Sequence, residues 1–433
     1  MTHEKWPLAS AVGNCLRAIG LPFTTAPTDA VIGHPTTAIN PRKGFGTMKL
    51  SKILTASLAG TLSTASWATD PASIDLAGFE FTPTLDLTES YDDNYRGLRD
   101  GAGSSWVTSV NPKFLLSAET RNSGYQLEYE FDDQTYHSDD RASHTDHHLR
   151  FRSILEFNSR NRLRWNLGYH RIEETIDLAD PDDNENDKYD RSVAGATYSY
   201  GTLSGLNQLD FGVNREGIRY RNSGDLNADE ERDSTMFNTV WYHRLGGSTR
   251  SLVELRHTDH DYVRSGSNRD STNDAALFGA TWEATAKTSG TLRLGAERKN
   301  FDSSTREDYT SPMWEVGVAW EPRTYSVVKL NTRRAFDEGD DGASTVQDTT
   351  TRLSWEHEWS AFIRTDLDYR YSERDYKAIE RQDDRTSYGL GVTYSPDRWV
   401  DVSLGYRHTE NDSSVREKSY DRNIYQLSLS LSL

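Results

Sequence analysis

Apolar and polar side chains alternate along most of this chain, most sharply at its end. In YQLSLSLSL, Tyr425, Leu427, Leu429, Leu431 and Leu433 fall on one face of an extended strand. Gln426, Ser428, Ser430 and Ser432 fall on the other. Upstream, Leu149, Phe151, Leu155 and Phe157 oppose Arg150, Arg152 and Glu156, while Leu163, Trp165, Leu167 and Tyr169 oppose Arg162, Arg164, Asn166 and His170. Ile363, Thr365, Leu367, Tyr369 and Tyr371 oppose Arg364, Asp366, Asp368 and Arg370, and Tyr388, Leu390, Val392 and Tyr394 oppose small Gly and Thr. A period of two predicts strands with one oily and one wet face. Beyond Ala68 no apolar period of 3.6 residues outlasts a turn or two.

Runs of this kind predict eighteen strands, near 79–91, 105–119, 124–137, 146–158, 162–175, 189–201, 207–220, 233–245, 250–263, 273–286, 291–302, 311–321, 325–336, 347–359, 362–376, 385–395, 399–410 and 420–433. Short turns at 121–123, 159–161, 246–249, 287–290 and 397–398 alternate with long acidic connections at 92–104, 176–188, 221–232 and 337–345. These features predict an all-β fold, a transmembrane outer-membrane β-barrel of about 18 antiparallel strands with short periplasmic turns and longer acidic extracellular loops. In lipid every backbone polar group must be paired within the protein, so the last strand must close on the first. Trp320, Trp359 and Trp399 flank short turns, where an aromatic belt would sit. Soluble sandwiches and propellers also alternate, but with their wet faces outward.

Composition narrows the partners. The 433 residues are only 35% hydrophobic, and 67 Asp and Glu against 49 Lys and Arg leave a net charge of -18, which argues against nucleic acid. From Met48, Lys49 and Lys52 precede a small and apolar stretch and a Ser66-Trp67-Ala68 cleavage site, the pattern of a secretory signal peptide over 48–68. Residues 1–47 then read as an over-extended start, and 69–433 as the barrel. The one cysteine, Cys15, lies upstream, so the barrel region offers no thiolate chemistry.

On the predicted inner face the candidate lumen-lining residues are Arg150, Arg152, Arg162, Arg164, Arg293, Lys329, Arg333, Arg352, Arg364, Arg370 and Arg407. They are interleaved with Glu156, Asp210, Glu254, Glu297, Glu356, Asp366 and Asp368. Guanidinium groups can hold sugar hydroxyls or carboxylates, or simply pair across strands. His144 to His148 (HTDHH) and His257 to Asp261 (HTDHD) cluster imidazoles with carboxylates, a pattern more often solvated than metal-binding. No G-x-S-x-G elbow and no phosphate-cradling glycine loop is present, so neither an enzyme nor a cofactor is expected. The acidic run Asp180 to Lys188 reads as a solvated tip, or as a bridge through cations to lipopolysaccharide.

YDDNYRG at Tyr91 to Gly97, WVTSVNPKFLLSAE at Trp106 to Glu119, GYQLEYEFDDQTY and HTDHHLRFRSILEF together resemble the putative beta-barrel porin 2 family of Gram-negative bacteria. Asp93-Asn94 and Asn111-Pro112 carry the likeness, which runs from about Phe79 to the end. The resemblance implies an outer-membrane barrel, found with exopolysaccharide and capsule operons, through which a secreted polysaccharide or another solute leaves the cell. The alginate exporter is similar in strand number. Outer-membrane lipids, lipopolysaccharide and periplasmic export proteins are the expected partners. An uptake porin or a barrel hydrolase are the alternatives; the first would want a long loop folded into the bore, and no connection looks long enough.

Overall fold

A computed structural model describes residues 73–174, 186–225, 227–285, 287–339 and 342–432. The upstream segment, the signal-peptide pattern, Leu433 and most of the acidic run at 180–188 lie outside the described residues. A short strand β1 (Ile74–Leu76) precedes eighteen long ones. These are β2 (Phe79–Asp92), β3 (Ser105–Glu119), β4 (Ser123–Tyr136), β5 (His144–Asn158), β6 (Asn161–Glu174), β7 (Asp187–Tyr200), β8 (Asn207–Tyr220), β9 (Arg232–Gly246) and β10 (Thr249–Tyr262). β11 (Ser271–Thr285), β12 (Thr288–Phe301), β13 (Tyr309–Arg323), β14 (Ser326–Glu338), β15 (Thr345–Glu358), β16 (Ile363–Lys377), β17 (Arg381–Asp397), β18 (Val400–Ser413) and β19 (Tyr420–Ser432) complete the sheet.

Each strand pairs antiparallel with its sequence neighbour, and β19 closes on β2 from Ile424 opposite Asp92 to Ser432 opposite Thr84. Thr88 and Ser428 hydroxyls meet at 2.9 Å on the inner side of this seam. β2 runs past the end of β19; β3 already occupies its other edge from Glu80, so β1 fills the remaining edge beside Phe79 to Phe81. The backbone accounting therefore closes around the ring.

Burial is inverted relative to a soluble protein. Leu427, Leu404, Leu255, Phe278 and Phe211 are exposed, whereas Glu128, Glu130, Asp132 and Lys299 are buried. The oily face looks outward to lipid. Trp320, Trp359 and Trp399 are exposed at the short-turn end with Tyr200 and Tyr325, and Trp106 marks the opposite end beside Tyr91, at 5.5 Å between rings. Buried apolar clusters are small and sit at the long-loop end: Tyr95, Val107, Tyr136 and Ala142 in one, Ile172, Tyr189 and Ile218 in another.

One region departs from a plain barrel. Pairing of β13 with β14 stops at Trp314 opposite Arg334, although β13 stays paired with β12 to Tyr309 and β14 with β15 to Glu338. Pro312 lies just past the last pair and has no N–H for a ladder. Its carbonyl accepts the Ser311 hydroxyl at 3.0 Å, and the Phe336 N–H is taken by the Glu297 carboxylate instead. Ala335 to Glu338 and Thr345 to Asp348 are buried residue after residue, on both faces. The outer end of the β14–β15 hairpin has parted from β13 and leans inward, while β15 stays laddered to β16 as far as Thr345 opposite Lys377. Of the 337–345 stretch expected as a long loop, Asp337, Glu338 and Thr345 are strand, and the inward-leaning part is made of strand ends, which loop length does not reveal.

Leu427 faces lipid midway along β19 and Gln426 faces inward. Leu427→Arg is expected to cost about 2–4 kcal/mol, and Gln426→Arg less than about 1 kcal/mol, in denaturant unfolding of the barrel in lipid vesicles. Equal costs would contradict this assignment of faces.

Candidate functional site: the charged inner wall

Ion pairs between non-neighbouring strands identify the concave side. Neighbouring strands lie about 4.8 Å apart, so side chains two or three strands apart meet only inside the curve. Arg256 of β10 donates to Glu315 of β13 at 2.9 Å and to Glu254 at 2.9 Å, and Arg293 of β12 reaches Glu254 at 3.0 Å and Glu315 at 3.4 Å. Arg164 of β6 reaches Asp210 of β8 at 3.4 Å.

All of the residues picked out as lumen candidates stand on this side. Arg150 donates to Glu128 at 2.6 Å and Glu130 at 2.8 Å, with Lys113 3.5 Å from Glu128; Arg152 stands beside them and Glu156 lies further along β5. Arg162 is buried on β6. Lys329 donates to Glu356 at 2.7 Å, and Arg333 to Asp337 at 2.7 Å. Arg352 donates to Asp368 at 2.5 Å, with Arg407 4.0 Å from the same carboxylate. Arg364 contacts the Thr393 hydroxyl at 3.4 Å; Asp366 and Arg370 continue the β16 row, and Glu297 caps Phe336. Buried charges need such partners, because an ion left alone in low dielectric is far costlier than a paired one.

The wall is not uniform around its circumference. From β10 to β14 it is dense with paired charges and covered at its outer end by the hairpin. Glu338 is the tether there: it pairs with the fully buried Lys299, accepts the Tyr262 hydroxyl at 2.8 Å and stands 3.2 Å from His260 Nε2. From β17 through β19 to β3 the inner face is small and polar: Ser387, Gly389, Gly391, Thr393, Ser403, Gly405, Gln426, Ser428, Ser430, Thr88 and Ser109. Arg352 on β15 and Arg364 and Arg370 on β16 border this strip, and Arg407 and Asp401 on β18 and Asp86 on β2 stand within it.

The histidine motifs do not build a metal centre among the described residues. His144 Nδ1 meets the Ala142 carbonyl at 2.7 Å, His148 faces His170 at 2.9 Å, and His147 points outward onto Tyr129. His257 pairs with Asp274 at 2.7 Å on the lipid side. Ser234 lies 2.8 Å from His260 Nδ1, which places Ser, His and Glu338 in a row. The row joins β9 and β10 to the end of β14, where Glu338 also meets Lys299. His408, Glu410 and Asp421 form a group close enough to hold an ion at the outer rim; His-x-Glu opposite an Asp on the next strand is its sequence signal.

A closed eighteen-stranded barrel, oily outside and charged inside, defines an outer-membrane channel of the porin type. The family model described as "Putative beta-barrel porin 2" matches residues 68–433, and the chain belongs to that family. No curated protein matches. Among solved structures, OpdK of Pseudomonas aeruginosa with vanillate is 13% identical with a TM-score of 0.46, covering 82% of this chain and 99% of that one. OccK2 (OpdF) of the same organism is 11% identical with a TM-score of 0.46, covering 83% and 99%. The FrpB iron transporter of Neisseria meningitidis is 10% identical with a TM-score of 0.43, and the match covers 77% of this chain and 62% of that longer one.

Glu338→Gln leaves Lys299 buried without its counter-charge, a change of the kind that costs about 3–5 kcal/mol. The hairpin end is expected to leave the inner wall, raising single-channel conductance in planar bilayers. Unchanged conductance would mean that the other contacts, Glu297 with the Phe336 N–H, Arg269 with the Gly339 carbonyl and Arg306 with the Ser344 hydroxyl, hold it without Glu338.

Proposed function

We propose that this barrel carries a hydroxyl-rich, acidic saccharide across the outer membrane, as an export channel for an exopolysaccharide or capsular polysaccharide. The observation that supports this most directly is the strip of Ser, Thr and Gly side chains from β17 to β3, bordered by Arg352, Arg364 and Arg370 with Arg407 inside it. Hydroxyls offer exchangeable donors and acceptors to sugar, and guanidinium forks hold carboxylates. Asp366 and Asp368 among the arginines keep the strip from holding an anion too tightly, which conduction requires. In this reading the chain reaches the outer membrane after cleavage near Ala68, contacts lipopolysaccharide at its outer rim, and receives its polymer from periplasmic export proteins.

The inward hairpin favours a second reading, a solute-uptake porin whose outer mouth is narrowed to select small molecules. Planar-bilayer blockade separates the two. Long acidic oligosaccharides added from the short-turn side are expected to block the current, and Arg364→Gln with Arg370→Gln to weaken blockade about tenfold, the effect of about 1.4 kcal/mol. Blockade by acidic monosaccharides alone would support uptake instead.

A further inference from the structure

Near the outer end of the seam, the outward face of β18 and β19 carries a row of aromatic rings with an imidazole and two carboxylates just beyond it. Tyr406 of β18, Tyr425 of β19, Tyr91 of β2 and Trp106 of β3 stand opposite one another in register, with rings 5.1 Å apart between Tyr406 and Tyr425 and 5.5 Å apart between Tyr91 and Trp106. Aromatic rows of this kind sit at the membrane–water interface. Side chains two and four residues nearer the long-loop end therefore stand in the headgroup layer, where water and ions reach them. Among them are His408 and Glu410 on β18 and Asp421 on β19, the first partly exposed and the other two exposed.

One ligand atom from each of these three side chains lies within 4.8 Å of the other two. Strand geometry accounts for the convergence: His408 and Glu410 share a face two residues apart, and Glu410 is directly opposite Asp421 across the β18–β19 ladder. Like charges placed opposite each other weaken a strand pair. A cation between them turns that cost into a link from strand to strand.

The imidazole is oriented by the groups behind it. The Asn423 side-chain nitrogen donates to the Asp93 carboxylate at 2.8 Å, and an ionised carboxylate only accepts, so the Asn423 carbonyl oxygen must face the other way. That oxygen accepts the Tyr406 hydroxyl at 2.9 Å and lies 2.9 Å from His408 Nδ1. Nδ1 must therefore carry the ring proton. In the neutral ring the lone pair is then on Nε2, and a hydrogen bond from Nδ1 to an oxygen is the support that fixes the tautomer of metal-bound histidines. The Asn423 backbone N–H, bonded to the same Asp93 carboxylate at 2.6 Å, holds this relay against the end of β2.

We propose that His408 Nε2 and the carboxylates of Glu410 and Asp421 form a binding site for a divalent transition-metal ion of the zinc class on the outer rim of the barrel. One imidazole with two carboxylates suits zinc better than calcium or magnesium, which take oxygen ligands. Asn423 is a positioning residue that acts through the ring. The site joins β18 to β19, the strand that closes on β2, so metal bound there reinforces the barrel beside its seam. It is independent of what the lumen carries.

Isothermal titration of the untagged full barrel in detergent with zinc chloride tests this, with calcium chloride and magnesium chloride as comparisons. Zinc is expected to bind, and His408→Gln with Glu410→Gln to bring binding at this site below detection. Asn423→Leu removes no ligand yet is expected to weaken zinc about tenfold or more, while His257→Gln, on the outward face of β10, leaves the affinity unchanged. Heat-modifiable gel migration confirms that each variant is a folded barrel, and zinc is expected to raise the temperature at which the folded band is lost in the parent protein but not in the His408 and Glu410 variant. Zinc affinity unaltered in that variant, or calcium bound as tightly as zinc, would overturn the proposal. Full affinity in Asn423→Leu would overturn the part given to Asn423.

Discussion

A backbone amide in hydrocarbon has no water to bond, and every other feature of this chain follows from that constraint. The sheet must close, so β19 meets β2, and β1 takes up the edge that β19 leaves at Phe79 to Phe81. Closure sets one face toward lipid and the other toward the interior, so the strand ends as Leu-Ser-Leu-Ser. The ordinary rule of soluble folding is reversed without any change in its physics: leucines still leave water, here by facing outward.

Reversal moves the energetic burden to the interior. Charged side chains there are stable only in company, and the wall answers with chains of alternating sign such as Lys113, Glu128, Arg150 and Glu130, or Arg256, Glu315, Arg293 and Glu254. Where charges are most crowded, between β10 and β14, the hairpin packs over them. Where side chains are smallest, between β17 and β3, the wall stays smooth. Unequal side-chain volume around one ring thus divides the interior into a packed half and an open strip.

Strand number, closure and the facing of the charged residues were legible because the period of two is a local property that a strand buried on one face cannot escape. Boundaries shifted by a few residues, as for the predicted strand at 385–395, which extends over Arg381–Asp397. The hairpin was not legible. Its cause is one proline in β13 acting with Glu297 and Glu338 on partners far along the chain, and sequence spacing carries no record of which carboxylate will meet Phe336 or Lys299.

The constriction is made from the wall's own strands. β14 and β15 are anchored at the short-turn end through Ser326 and His357, and they separate from β13 only beyond Arg334. Mechanically this is a sheet slit along one edge: β15 stays laddered to β16 as far as Thr345 opposite Lys377, and Glu338 pins the edge that β13 has released. The narrowing is thus built into continuous sheet, and the one break in the ladder, between β13 and β14, faces inward where carboxylates and hydroxyls rather than lipid meet the released backbone.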